Sequence, residues 1–146
     1  MSGGPACEDG GPDSLRVEIV DLVPDGVHEI VTTSRGCGFN IAEQADVEIV
    51  WKWRLTGFQP IAAGSFYCVW TGDTSGESDA PNAPWVCSGS RLLLGPNPGG
   101  LRSVTLLEHG RRSIQPRRMN ARHRLAPVTS RRLLRWDAEA FRLVPQ

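Results

Sequence analysis

The sequence has no apolar run near the roughly 18 residues a membrane-spanning helix needs, which excludes a helical membrane protein. Cysteine is scarce, with four in 146 residues at positions 7, 37, 68 and 87, and no two form a C-x-x-C pair. No histidine lies at ligand spacing from any of them. Zinc sites are built from such close pairs, so no metal site is expected. Gly95 to Gly100 has the glycines of a phosphate loop but no following Lys-Ser/Thr, and Gly36-Cys37-Gly38 lacks the third glycine of a dinucleotide fingerprint. No cofactor is expected. Cys37, flanked by glycines, is the thiol most open to chemistry, but no base is placed beside it by spacing. No catalytic residue is assigned.

The first residues, MSGGPACEDGGPDS, have neither a basic nor an apolar region of a secretory signal, and Ser2 breaks the myristoylation pattern. The expectation is a cytoplasmic or virion protein, not a secreted one, with four free thiols and a flexible acidic tail over 1–13.

Lysine is nearly absent: Lys52 stands alone against fifteen arginines. Arginine offers a planar fork of donors and is less strongly hydrated, which suits interfaces. Net charge is zero, but it is unevenly laid out. Residues 1–50 carry Arg16 and Arg35 against ten carboxylates, a balance of −8. Residues 101–146 carry eleven arginines against Glu108, Asp137 and Glu139, a balance of +8. From Arg111 to Arg135 there is no carboxylate at all, so the segment repels itself unless something anionic faces it. The candidate partner-binding residues are Arg111, Arg112, Arg117, Arg118, Arg122, Arg124, Arg131 and Arg132. No aromatic lies among them, which leaves phosphate contact without base stacking as a nucleic-acid mode.

Gly (16) and Pro (11) together make about 18% of the chain, against a usual sum of about 12%. Short strands with many turns follow from that excess. Leu15, Val17 and Ile19 alternate with Arg16 and Glu18, the period of a half-buried strand. Pro24-Asp25-Gly26 then turns the chain into Val27–Thr33 as a hairpin, and Ser34 to Asn40 reads as a loop. In Asp46 to Leu55 the residues Val47, Ile49, Trp51, Trp53 and Leu55 share one face, which predicts a strand with two tryptophans anchoring a core. Gly57 to Pro60 reads as a turn. Ile61–Thr71 is apolar on both faces, so it is expected to be central or covered by a partner, with Cys68 packed as a core residue. Gly72 to Pro84 reads as a long polar loop. Short strands follow at Trp85–Ser88, Arg91–Leu94 and Leu101–His109. Gly95 to Gly100 turns between the last two, and Arg112–Met119 reads as an edge strand.

The last segment supports two readings. Ser130 could cap a helix over 131–144 with Leu133, Leu134, Trp136, Phe141 and Leu143 on one side, and this is the preferred expectation. A hairpin around Asp137–Ala140 competes with it.

The expected fold is all-β, a sandwich or barrel of about eight short, mostly antiparallel strands with a C-terminal amphipathic helix. A domain over 14–129 would carry the Arg-rich portion, and a helix over 130–146 would pack on it or on a neighbour. The expected role is a non-enzymatic structural subunit of a larger assembly, such as a capsid- or tail-associated particle component. Its partners would be other protein subunits, including copies of itself, with no membrane. Two alternatives are a nucleic-acid-binding module using 111–135, and a small β-barrel ligand binder or enzyme lined by Trp51, Trp53, Phe66 and Trp70.

Overall fold

The computed structural model describes residues 12–37, 43–72, 82–96 and 100–146. Eight strands run in chain order: β1 (Pro12–Val20), β2 (Glu29–Cys37), β3 (Glu43–Arg54), β4 (Gly57–Trp70), β5 (Trp85–Leu94), β6 (Val104–Ile114), β7 (Val128–Asp137) and β8 (Arg142–Pro145). They form one sheet in the order β1 to β8, every neighbour antiparallel. The expected all-β architecture of about eight antiparallel strands is what forms. The sheet is not closed.

The sheet bends into two layers at β4 and β5. Only the second half of β4, Phe66 to Trp70, pairs with β5, while its first half pairs with β3 alone. The register slips between Cys87 and Gly89, and Gly89 adopts φ 132°. A Cβ there would lie 2.1 Å from the Ser65 carbonyl oxygen, so only glycine lets the two backbones cross this closely. Bulges at such corners are how a strand passes from one layer to the next. A first core then forms between the layers from Val20, Val31, Val50 and Ile61 on one side and Leu92, Val104 and Leu143 on the other. A second gathers Phe66, Cys68, Trp85, Cys87 and Ile114 under a 3₁₀ turn (Pro116–Ala121) and a single helical turn, α1 (Arg122–Leu125), which contribute Met119 and partly buried Leu125.

Several expectations change. The helix over 131–144 is absent: β7 and β8 form the competing hairpin, and the helix of this region is α1, ahead of them. The side chain of Asp137 accepts hydrogen bonds from the backbone N–H of Glu139 and Ala140, 3.1 Å each, which fixes the turn. Backbone pairing with β6 outweighs the helical period of the apolar residues, and Ser130 pairs with Glu108 rather than capping a helix. Arg112–Met119 is not a separate strand; β6 runs unbroken through Gly110 to Ile114 and then coils. Gly57–Pro60 is not a turn, because the chain reverses at Leu55–Thr56, with Leu55 at φ 55°, and β4 starts at once. The two pieces predicted at Trp85–Ser88 and Arg91–Leu94 are one strand carrying a bulge. The loop expected from Ser34 begins later, since β2 runs to Cys37, and β1 begins at Pro12, inside the expected tail. The rest of that tail, Cys7, and most of the polar loop after Gly72 lie outside the described residues.

Candidate functional site

The clearest strand predicted from the sequence, β3, forms with its faces reversed. Val50 and Lys52 are buried and Glu48 is half-buried facing the core, whereas Trp53 is 49% exposed. On β1 the same inversion leaves Leu15, Val17 and Ile19 exposed at 66%, 60% and 72%. The tryptophan anchors expected inside therefore lie outside, and Trp51, Trp53, Phe66 and Trp70 line no common pocket.

The registers of β1 to β4 assemble these outward residues into ladders across all four strands. Leu15 pairs with Ser34, Ser34 with Val47 and Val47 with Ser65. The next ladder is Val17, Thr32, Ile49, Ala63, and the third is Ile19, Ile30, Trp51, Pro60. None of the twelve is charged. Trp51 Nε1 donates to Thr32 Oγ1 at 2.8 Å, so the indole N–H is satisfied within the face itself. Further along the same face stand Phe58, edge-on to Trp53 at 5.2 Å, and Tyr67 and Val69, 48% and 39% exposed. The ladders are exposed on β1 and β4 and half-buried on β2 and β3, so the apolar side chains of this face are contiguous rather than scattered.

The inward face of the same strands is where the charges went. Glu29 Oε2 accepts the backbone N–H groups of Leu22 (2.7 Å) and Val23 (3.2 Å), and its Oε1 lies 2.7 Å from Lys52 Nζ. Lys52 also reaches Asp25 Oδ2 at 2.7 Å and sits 5.5 Å from the ring centroid of Trp136. Burial works against the Lys52 charge, but Asp25 and Glu29 outweigh it and hold the ammonium above the usual lysine value. At the other end of β3, Asp46 meets Arg122 from α1 at 2.5 Å, His123 Nε2 at 2.7 Å and Arg35 at 3.8 Å. Burial opposes the Asp46 charge, yet these neighbours hold its carboxyl below the usual aspartate range. For His123 burial is the larger influence and pushes the imidazole below its usual value, against the pull of Asp46. Glu48, which accepts the Leu92 N–H at 3.0 Å across the layers, is pushed up by burial.

These contacts redraw the charge map. Of the carboxylates in the acidic first third, Glu18, Asp25, Glu29 and Asp46 all pair with cations inside the fold. Arg102 and Arg122, from the basic last third, supply two of those cations. Arg122 is 2% exposed, which removes it from the outward partner-binding set. Arg111, Arg112, Arg117, Arg118, Arg124, Arg131 and Arg132 are exposed, with no ion pair among the described residues. They are not gathered into one stripe. Arg131 and Arg132 are successive on a strand and point to opposite faces, as do Arg111 and Arg112.

The expectation of four free thiols fails at Cys68 and Cys87, which pair directly across β4 and β5 and form a disulfide buried in the second core. Of Cys37 only the backbone, at the end of β2, is described. A cleft of about 570 Å³ lies between the first half of β4 and the β7–β8 hairpin; its lining includes Ile61, Leu106, Leu134, Phe141, Arg142 and Leu143 and no carboxylate, histidine or cysteine. Among the described residues no three His, Cys, Asp or Glu side chains converge as metal ligands would. No protein-family model, curated protein or solved structure matches the chain.

Proposed function

We propose that this protein is a non-enzymatic structural subunit that buries the outward face of β1–β4 against protein in a larger assembly. The single observation that carries this is the inversion of that sheet, with uncharged ladders facing water and charged side chains facing the core. Leu15, Val17 and Ile19 are 60–72% exposed, and covering them removes apolar surface from water, which favours association. A lipid-facing barrel would also turn apolar residues outward. Here, however, β7 and β8 turn Arg131, Arg135 and Arg142 to the outside beside exposed Leu133, so among the described residues charge interrupts the apolar surface of that layer.

A virus or phage particle, as a capsid- or tail-associated component, is the setting we favour. Disulfides persist at virion and cell surfaces and are rare in the reduced cytosol, and the Cys68–Cys87 bridge fits a particle better than the cytosol. Head-to-tail attraction between acidic and basic ends contributes less than the linear charge map implies, because four of the ten carboxylates in residues 1–50 are paired within the chain. The seven exposed arginines support a secondary contact with a phosphate backbone.

The test is dye binding by the purified chain. A molecule with this face uncovered binds an environment-sensitive apolar dye such as anilinonaphthalene sulfonate, and one that covers it by association does not until it is dissociated. A monomer that binds no dye and stays monodisperse at high concentration would overturn the proposal.

A further inference from the structure

We propose that the segment from Pro116 to Leu125, the 3₁₀ turn and α1 together, binds the phosphate backbone of a nucleic-acid duplex without reading its sequence. Such a site is independent of the β1–β4 face and gives the secondary phosphate contact a place and three residues. Of the seven exposed arginines, Arg117, Arg118 and Arg124 stand on this one segment, whereas Arg111 and Arg112 lie on β6 and Arg131 and Arg132 on β7.

The segment is pinned from beneath. Met119 and Leu125 enter the second core, and Arg122, 2% exposed, reaches Asp46 and Gln44 on β3. Just past α1, His109 Nδ1 donates to the Ala126 carbonyl at 3.1 Å and the Gly110 N–H donates to the Pro127 carbonyl at 2.8 Å. With the inward positions taken, the exposed residues between 115 and 125 are Gln115, Arg117, Arg118, Asn120 and Arg124. Arginine, asparagine and glutamine are side chains that contact phosphate oxygens, and this surface lacks the apolar centre that a protein interface is built around.

Charge points to the same ligand. Asp46, the carboxylate under the segment, is shared by Arg35, Arg122 and His123. Arg35 and Arg122 alone outnumber it, so the balance there is positive even with His123 neutral. Arg117, Arg118 and Arg124 have no ion pair among the described residues, and a polyanion supplies the missing counter-charge. The segment has no Phe, Tyr or Trp to stack on unpaired bases, and His123 is turned onto Asp46 at 2.7 Å. The denser charge of a duplex is therefore favoured over a single strand. Along a 3₁₀ and α path Arg117 and Arg124 are separated by roughly 13 Å, over which one strand of a duplex offers about four phosphates.

The test is fluorescence anisotropy of a short labelled duplex of mixed sequence, titrated with the full chain across salt. Arg117→Gln with Arg118→Gln is compared with Arg131→Gln with Arg132→Gln; all four positions are exposed, and far-UV circular dichroism checks that both variants fold. The expected result is sequence-independent binding that weakens as salt rises. The first variant lowers affinity roughly 10-fold or more and flattens the log–log salt slope by about 2, and the second changes affinity by less than about twofold. Tighter binding to a DNA or to an RNA duplex supports the site equally and names the source of the phosphates. Absence of salt-dependent binding, or the same loss in both variants, overturns the site. Equal competition by polyglutamate of matched charge also overturns it and moves the partner to an acidic protein surface. These outcomes leave the dye test of the β1–β4 face untouched, so the site and the proposed function fail separately.

Discussion

Lys52 shows how a single side chain decides the orientation of a strand. Its ammonium lies between Asp25 and Glu29, and Glu29 is completely buried while holding two backbone N–H groups of the β1–β2 connection. Lys52→Met keeps the stem and deletes the cation, leaving a buried carboxylate unpaired. Such one-sided removal costs about 3–5 kcal/mol, to be read from chemical denaturation. A loss under about 1 kcal/mol would show that the pair behaves as a surface contact. His123 predicts a pH effect. Its imidazole is held below the usual 6.5, so the unfolded chain takes up the proton more readily than the folded one. Stability is therefore full above 6.5 and falls as pH drops through that value toward the lower folded one. Asp46, held below 3.8, adds a later loss in stronger acid, and Glu48, raised by burial, acts in the opposite sense. The thermal midpoint should decline between about pH 7.5 and 5.5 in the parent chain and stay flat in His123→Gln.

At the scale of elements, Gly89 is the joint between layers. Gly89→Ala puts a methyl group against the Ser65 carbonyl at a φ that L-residues rarely adopt. The expected loss is at least the about 1–3 kcal/mol of an unfavourable backbone conformation, seen as a lower denaturation midpoint; an unchanged midpoint would mean the crossing is loose. The sequence announced the strands well, because period-two alternation in β1, β3 and β4 is a property of the chain alone. It announced the faces of β1 and β3 wrongly. The alternation marks two sides but not which is inner, and here the inner one is chosen by Glu29 finding Lys52 and Asp46 finding Arg122, partners 23 and 76 residues apart. The β7–β8 hairpin was misjudged for a related reason. Leu133, Leu134, Trp136 and Phe141 fit a helical stripe, but only the tertiary context shows that β6 presents an unpaired edge for β7 to satisfy.

For the whole molecule, the linear excess of acid at one end and arginine at the other was legible, but its meaning changed on folding. Arg102 reaches Glu18 and Arg122 reaches Asp46, so part of the excess cancels inside one chain. What remains outside is a scatter of exposed arginines, concentrated in the last third of the chain, and the uncharged ladders of β1–β4. The ladders could not be read from the sequence as a surface, since they exist only once four strands are in register. They shift the expected response to salt: contacts through β1–β4 resist it, and contacts through the arginines weaken.

Lys52 has a last consequence. It carries the chain's single ε-amine, enclosed at 3% exposure. An acylating reagent or a lysine-conjugating enzyme meets no lysine side chain on the native molecule. Chemistry at that nitrogen waits for the fold to open, so its rate is a clock for excursions out of the native state.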